Sequence, residues 1–419
     1  MPDDYGILAI LTSFVAIFGI IYGLGIKGAI TRYYYEKKTD FDQYLGSNIL
    51  MVTIWSIILT ALLLLSFDTL SAFFNVPPGV LYIGIGIVFF QVFLGLYQSY
   101  LVASKQSKQY GLINIIKRVL SIVFAIPLIL ILADEKFYGK AYAMLFLAVI
   151  FGGYGIVKLS KILVLTFRWS YIKYTLIFSL PIVLHLLSQY VLSAFDKIII
   201  NQLVGKTETG LYALAYAVGG IQGMVSMGML KAWSPNLYDM LNKGRYDAIN
   251  KLASKFARLV YLSAFALILF SREIVILLAD EKYYAALNII PIIIIAFVFH
   301  FLYTMYVNFA FYHKKTQLIA AATIIAGTIN ISLNYWLIPI YGFEVAAWTT
   351  LFSYATLFAL HYLNVRFIIK PEWITHLTAL LPNFFLLIMV VLVFSKINSL
   401  VINIYLLSAI KFLFLFFLI

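Results

Sequence analysis

About thirteen apolar stretches, each close to the length that crosses a bilayer, occupy almost the whole chain. A hydrocarbon core of ~30 Å requires ~20 mainly apolar residues per helix. Hydrophobic residues make up 63% of the chain and charged residues 11%, which is not the composition of a water-soluble domain. The sequence therefore predicts an all-α polytopic membrane protein. We place its transmembrane helices at 5–26, 45–67, 79–100, 111–132, 141–160, 174–195, 209–230, 252–271, 285–306, 318–339, 345–365, 378–395 and 400–419.

The basic residues are distributed by side of the membrane. The chain carries 30 Lys and Arg against 17 Asp and Glu, and most of the basic residues lie in loops that follow odd-numbered spans. The positive-inside rule makes these loops cytoplasmic and puts Met1 outside the cytoplasm. A nucleic-acid-binding protein would instead gather its basic residues on one exposed face. The absence of cysteine excludes disulfides and thiolate chemistry, and five scattered histidines make a poor metal site, so we expect no metal.

The second half of the chain resembles the first half when Gly210 is aligned with Gly6. Such a repeat predicts two pseudo-symmetric lobes of the same orientation around a central cavity. In this register the partner of span 174–195 would precede Met1, so we expect the first lobe to lack its first helix. The predicted lobes cover 1–168 and 169–370, and 371–419 forms two further spans, the last of which we expect to be truncated. The same register pairs Ala9 with Ala213, Gly19 with Gly223, Lys27 with Lys231 and Tyr34 with Tyr238.

Several motifs resemble those of one family. They are Pro2-Asp3-Asp4-Tyr5-Gly6-Ile7-Leu8-Ala9 with Gly25, Ala29 and Arg32-Tyr33-Tyr34; Asp196-Lys197-Ile198-Ile199-Ile200; Gly210-Leu211-Tyr212-Ala213-Leu214-Ala215-Tyr216; Ala232-Trp233-Ser234-Pro235; and Asn330, Asn334, Ile338-Pro339 and Tyr341-Gly342. Together they resemble bacterial polysaccharide (O-antigen type) flippases of the multidrug/oligosaccharidyl-lipid/polysaccharide exporter superfamily. The chain departs from the family pattern at Lys197, where arginine is more usual, and at Phe343-Glu344, which replace small residues.

The resemblance implies fourteen helices, six in each lobe and two at the C-terminus, with the lobes forming a V around a polar cavity. It implies a flippase of the bacterial cytoplasmic membrane that moves a polyprenyl-pyrophosphate-linked oligosaccharide from the cytoplasmic to the outer leaflet by alternating access. This step would serve surface polysaccharide biosynthesis, with a polymerase or chain-length protein as a further partner. No cofactor is implied, and H+ or Na+ is left as the coupling ion.

Two other classes of protein are alternatives. A polysaccharide polymerase, ligase or glycosyltransferase needs a sizeable outer loop with catalytic groups, whereas the outer loops here are short and the longest connection, 231–251, is predicted to be cytoplasmic. The sequence therefore predicts no enzyme. A cation-coupled multidrug exporter of the same superfamily should hold acidic residues deep in its spans, and these are scarce. It remains the second candidate.

Five basic residues are candidates for binding the pyrophosphate. Lys27 and Lys231 are equivalent in the repeat and lie at cytoplasmic helix ends, as does Arg32, where lysine and arginine also commonly snorkel to the interface. Lys117 and Arg118 fall inside the span predicted to begin near residue 111, and charges within spans usually face a cavity. The alternative for this pair is a helix that begins later in the sequence.

Polar stripes on two spans are candidates for binding sugar hydroxyls. Gln91 and Gln98 share one helix face with Gly95, and Asn330 and Asn334 share another. Such stripes also occur where helices pack closely and amides bond across the interface, so both interpretations stay open. Asp196, His185 and His300 are candidates for ion coupling. For the histidines the alternative is a hydrogen-bonded residue in the protein interior, and for Asp196 a helix end at the outer interface.

Overall fold

The computed structural model describes residues 1–36, 38–132, 135–313 and 317–370, together with Thr375, Leu377, Leu380, Phe384 and Lys411. Within this part the chain forms fifteen α-helices and no β-strand. Helices suit this sequence because each one satisfies its own backbone hydrogen bonds in hydrocarbon. They are α1 (Pro2–Gly23), α2 (Ile26–Glu36), α3 (Phe41–Leu65), α4 (Phe67–Phe74), α5 (Pro78–Ala103), α6 (Ser107–Ile131), α7 (Phe137–Ser160), α8 (Trp169–Ala194), α9 (Asp196–Leu203), α10 (Lys206–Asn242), α11 (Tyr246–Leu269), α12 (Ser271–Leu278), α13 (Ile290–Tyr312), α14 (Gln317–Tyr341) and α15 (Val345–Leu363). Short 3-10 helices cover Lys38–Asp40 and Glu281–Asn288, and a π-helical turn covers Asn364–Ile369.

Ten helical segments among the described residues are long and apolar enough to cross a membrane. They are the α1–α2 segment, α3, α5, α6, α7, α8, α10, α11, α13 and α14, and each coincides with a predicted span. The predicted span 345–365 falls on α15, while 378–395 and 400–419 lie outside the continuously described residues. The all-α, multi-pass membrane class is confirmed, and the count of thirteen stays a prediction.

Several helices extend further than the sequence predicted, and two of these extensions bear on the site and the loops. The helix predicted to begin near residue 111 begins at Ser107. The helix predicted to end at residue 230 continues through Pro235 to Asn242, and the next helix begins at Tyr246, so only 243–245 of the expected loop 231–251 lie outside helices. Trp233 and Leu237 are both fully buried and are one turn apart. Packing on this face outweighs the single backbone donor that Pro235 lacks.

The chain divides into two compact units, and the first is Asp3–Gly210. In this unit α5 packs against α7, and the two backbones approach closely because a Cβ on Gly152 would lie only 2.5 Å from the carbonyl oxygen of Phe90. Helices α8 and α9 belong to the same unit. Thr175 of α8 shares a buried hydrogen bond of 2.7 Å with Tyr44 of α3, and Asn201 of α9 donates to the backbone oxygen of Phe74 at 2.6 Å.

The second unit is Leu211–Ile419 with Met1–Pro2. Helix α15 packs against α13 and α14, and α11 packs against α13. The ammonium of Lys411 is fully buried and lies 2.8 Å from the carboxylate of Glu273 on α12. The compact units meet in sequence at Gly210 and Leu211, whereas the three-part division at 168/169 and 370/371 describes the sequence repeat and stays a prediction.

Candidate functional site

The first unit encloses a cavity of about 400 Å³ that is lined by α1, α2, α5, α6 and α8. Most of its lining is apolar or glycine. Its polar lining brings together four of the predicted site residues and one that was not predicted, Asn114. They are Lys27, Gln91, Gln98, Asn114 and Lys117.

A break between α1 and α2 places Lys27 in the cavity. Leu24 and Gly25 have positive φ angles of 45° and 64°, a backbone region that glycine adopts readily and leucine rarely. The break ends α1 and starts α2 one residue before Lys27, which is exposed toward the cavity. The indole of Trp55 donates a hydrogen bond of 3.0 Å to the carbonyl oxygen of Ile21. It thereby satisfies a carbonyl near the end of α1.

Helix α5 supplies the amides. Gln91, Gly95 and Gln98 line the cavity together, as their helical spacing predicts. A Cβ on Gly95 would lie 3.1 Å from Cε and 3.4 Å from Nζ of Lys27, so the absence of a side chain here makes room for the lysine. The amide of Gln98 donates a hydrogen bond of 3.2 Å to the side-chain oxygen of Asn114 on α6.

Helix α6 contributes the second cation. Because α6 begins at Ser107, Lys117 lies almost three turns inside it, and the alternative of a helix that begins later is wrong. Asn114 is one turn before Lys117 on the same face, a spacing that could have identified it. The charges of Lys27 and Lys117 act on one another. Among the described residues, those that line this cavity include no Asp or Glu, so its charged lining is cationic.

The other predicted cations lie outside the cavity. Arg32 is half-exposed and forms an ion pair of 2.6 Å with Glu36, whose other oxygen accepts a hydrogen bond of 2.7 Å from Tyr174. This carboxylate offsets the positive charge of Arg32. Arg118 is exposed on α6, next to Lys117 in sequence. Lys231 is exposed on α10 in the second unit.

Asn330 and Asn334 are fully buried on α14. The amide of Asn334 donates to the side-chain oxygen of Asn330 at 3.3 Å, and its own oxygen accepts a hydrogen bond of 2.5 Å from Thr349 of α15. The bond from Thr349 crosses the contact between α14 and α15, which matches the helix-packing alternative. The described geometry does not bring either residue into the cavity of the first unit.

The three candidates for ion coupling lie on different helices: His185 on α8, Asp196 on α9 and His300 on α13. Asp196 is buried at the first residue of α9, where a negative charge is favoured by the helix dipole. Burial lowers the pKa of the adjacent Lys197 ammonium, and the Asp196 carboxylate acts in the opposite direction. The backbone of His185 lies in α8, but its side chain is outside the described part.

His300 belongs to an aromatic cluster in the second unit. Its ring is 5.0 Å from that of Tyr303 and 5.4 Å from that of Tyr354. His361 of α15 also stacks on Tyr303, with the ring centroids 5.6 Å apart, and sequence reasoning did not single it out. Among the described residues, no group of three His, Asp or Glu side chains is placed to hold a metal ion.

The sequence of this chain matches the models of two protein families. The sequence model of a family described as polysaccharide biosynthesis protein matches residues 1–241, and that of the MatE family matches residues 181–336. The chain is also similar to Lsg locus putative protein 1 of Haemophilus influenzae, with 23% identity over 339 residues that cover 79% of this chain and 82% of that protein.

Two solved structures share the architecture. One is the inward-facing conformation of a multidrug resistance MATE family transporter of the MOP superfamily, with a TM-score of 0.71 and 16% identity, covering 95% of this chain and 92% of that one. The other is the lipid II flippase MurJ in an inward closed conformation, with a TM-score of 0.69 and 15% identity, covering 95% of this chain and 96% of that one. At this low identity the likeness shows the fold alone, which this chain shares with both proteins.

Proposed function

Because this chain belongs to the polysaccharide biosynthesis protein family, we propose that it is a lipid-linked oligosaccharide flippase. It moves a polyprenyl-pyrophosphate-linked oligosaccharide from the cytoplasmic to the outer leaflet of the bacterial cytoplasmic membrane, by alternating access. The observation that carries this proposal is the cationic cavity of the first unit, in whose described lining Lys27 and Lys117 are accompanied by three amides and no carboxylate.

The cavity has the chemistry that such a substrate requires. Two ammonium groups match the negative charges of a pyrophosphate, and hydrogen bonds between ionised partners are about twice as strong as neutral ones. The amides of Gln91, Gln98 and Asn114 both donate and accept hydrogen bonds, which suits sugar hydroxyls. The volume of about 400 Å³ falls in the range of small-molecule sites.

The substrate also bears on catalysis, on the partner protein and on the coupling ion. Transport alone requires no catalytic group, so the chain acts without enzymatic chemistry and without a cofactor. A polymerase or chain-length protein would use the delivered substrate on the outer side. H+ or Na+ is the proposed coupling ion, with Asp196, His185 and His300 as the residues to test.

A cation-coupled multidrug exporter is the second candidate, since the MatE model matches residues 181–336. The cavity argues against it. A cationic drug placed beside Lys27 and Lys117 would be repelled by both, and none of the lining residues that the structure describes carries a compensating negative charge.

The test is complementation of a flippase-deficient bacterium. The wild-type chain should restore surface polysaccharide and reduce the lipid-linked precursor in the inner leaflet. The double variant Lys27→Gln/Lys117→Gln should fail to do so at normal membrane levels, because it removes both cavity charges. Lys251→Gln, which removes an exposed charge on α11, is the matched control. Resistance to cationic dyes without rescue by the wild type would establish the exporter instead.

A further inference from the structure

Arg118 lies on α6 between the side of the helix that lines the cavity and its exposed apolar surface. Lys117, the preceding residue, lines the cavity, whereas Arg118 is exposed. Beyond Arg118, the outer surface of the helix is apolar, since Ile115, Val119 and Ile122 are 62%, 53% and 61% exposed. The arginine therefore separates the cavity-facing side of α6 from a surface suited to lipid tails.

The position of Arg118 along the helix makes its charge costly. At a rise of 1.5 Å per residue, Arg118 is about 16 Å from Ser107 and about 20 Å from Ile131. If Ile131 marks the outer edge of a ~30 Å hydrocarbon core, Arg118 lies about 10 Å inside the cytoplasmic edge. A charged side chain at such a depth is expensive and normally has a partner.

The described part of the protein supplies no anionic partner. No described Asp or Glu forms an ion pair with Arg118, and the charge that acts with it is the like charge of Lys117. Two adjacent cations, one facing the cavity and one at its lipid-side border, are better suited to an anion that moves between these environments than to stabilising the fold.

We propose that Arg118 is the outer docking residue for the pyrophosphate of the lipid-linked substrate, which passes across the α6 flank to Lys117 and Lys27. This inference rests on the proposed function and names its entry route. The polyprenyl chain would stay against Ile115, Val119 and Ile122 while the charged group moves inward. Phosphates of bulk lipids lie at the interface, about 10 Å from this depth, so a substrate phosphate drawn into the site fits better than a resident lipid.

The geometry of α6 allows a pyrophosphate to pass directly from Arg118 to Lys117. Successive residues are rotated by about 100°, and Asn114, one turn earlier, projects between the directions of Lys117 and Arg118. A pyrophosphate can thus move around the helix from Arg118 to Lys117 while the amide of Asn114 stays beside it. Arginine is the less strongly hydrated cation and binds phosphate bidentately, which suits the lipid-side position. Lysine, a strongly hydrated point charge, suits the cavity side of the helix, where the amides of Gln91, Gln98 and Asn114 lie.

The test uses the full chain in lipid nanodiscs, with a photo-crosslinking residue at position 122, one turn from Arg118 on the exposed face. The probe is radiolabelled geranylgeranyl diphosphate. Crosslinking at position 122 should fall about tenfold in Arg118→Gln and less in Arg118→Lys. It should persist in Lys27→Gln/Lys117→Gln. The matched control is Arg258→Gln, which removes an exposed arginine of α11, and it should leave crosslinking unchanged.

A parallel measurement separates the entry route from the proposed function. Because Arg118 does not itself line the cavity, inorganic diphosphate should bind Arg118→Gln less than threefold more weakly than the wild type, whereas it should bind the double lysine variant at least tenfold more weakly. Unchanged crosslinking in Arg118→Gln, with normal diphosphate binding, would overturn the route and leave the flippase proposal standing. Equal competition by phosphatidylglycerol would also overturn it, because Arg118 would then contact ordinary lipid. Absence of diphosphate binding to the wild type would count against the cavity itself.

Discussion

Replacing Gly19 and Gly23 of α1 by leucine should block transport without weakening the fold. Both glycines line the cavity, and a Cβ at either position would meet no atom within 4 Å. Leucine is a better helix former than glycine by about 0.5–1 kcal/mol per position, so the double variant should unfold at the wild-type temperature or slightly above. The new side chains can project only into the cavity.

The expected loss of function follows from the volume. If each carbon occupies roughly the 30 Å³ of a water molecule, the four side-chain carbons of a leucine fill about 120 Å³. Two leucines thus remove more than half of a cavity of about 400 Å³. A pyrophosphate with its first sugar should no longer fit beside Lys27, and surface polysaccharide should fall at least tenfold in the complementation assay.

Gly153→Leu provides the matched control. Gly153 lies in α7 and does not line the cavity, and a Cβ added to it would also meet no atom within 4 Å. This variant should gain the same helix propensity and transport normally. Wild-type transport by Gly19→Leu/Gly23→Leu, measured at equal membrane levels and thermal stability, would refute the assignment of this cavity to the transport path.

Three further changes test other parts of the structure. Gly95→Ala should displace the Lys27 side chain, because the new Cβ would lie 3.1 Å from its Cε, and should weaken diphosphate binding about threefold; unchanged affinity would show that the lysine adapts freely. Thr175→Val removes the buried hydrogen bond between α3 and α8 and should lower the free energy of unfolding by about 1 kcal/mol, with diphosphate affinity unchanged; a stability equal to wild type in thermal unfolding would contradict this. Lys411→Met removes the ion pair with the part-buried Glu273 and should lower the free energy of unfolding by about 1–3 kcal/mol. Glu273→Gln in the same chain should restore part of this loss if the pair is the cause.

Hydropathy and motifs were sufficient for the fold class and the family. Ten predicted spans coincide with long apolar helices, because the hydrocarbon core imposes length and composition on any helix that crosses it. The resemblance drawn from motifs such as Gly210-Leu211-Tyr212 is confirmed by the family match over residues 1–241. Helical spacing also placed Gln91 and Gln98 on one face, and both line the cavity.

Other features of the site and the fold could not be predicted, because they depend on contacts between residues distant in sequence. The sequence around Leu24 gives little indication of the helix break there, since leucine ordinarily avoids positive φ. Lys117 and Arg118 are indistinguishable by spacing, because the orientation of α6 against its neighbours decides which of them reaches the cavity. The hydrogen bonds that hold α8 and α9 in the first unit, such as Thr175 to Tyr44, join segments that no periodicity relates.

The buried ion pair of Lys411 also bears on how the chain is inserted into the membrane. A lysine at the centre of a helix adds about 2.5–3.5 kcal/mol to the free energy of insertion by the translocon. Its partner, Glu273, lies in α12, which is synthesised well before it. The apolar segment that carries Lys411 therefore enters the bilayer most favourably after α12 is already in place. Insertion of the second unit should therefore be ordered, because α12 in the bilayer lowers the free-energy cost of inserting the segment that carries Lys411.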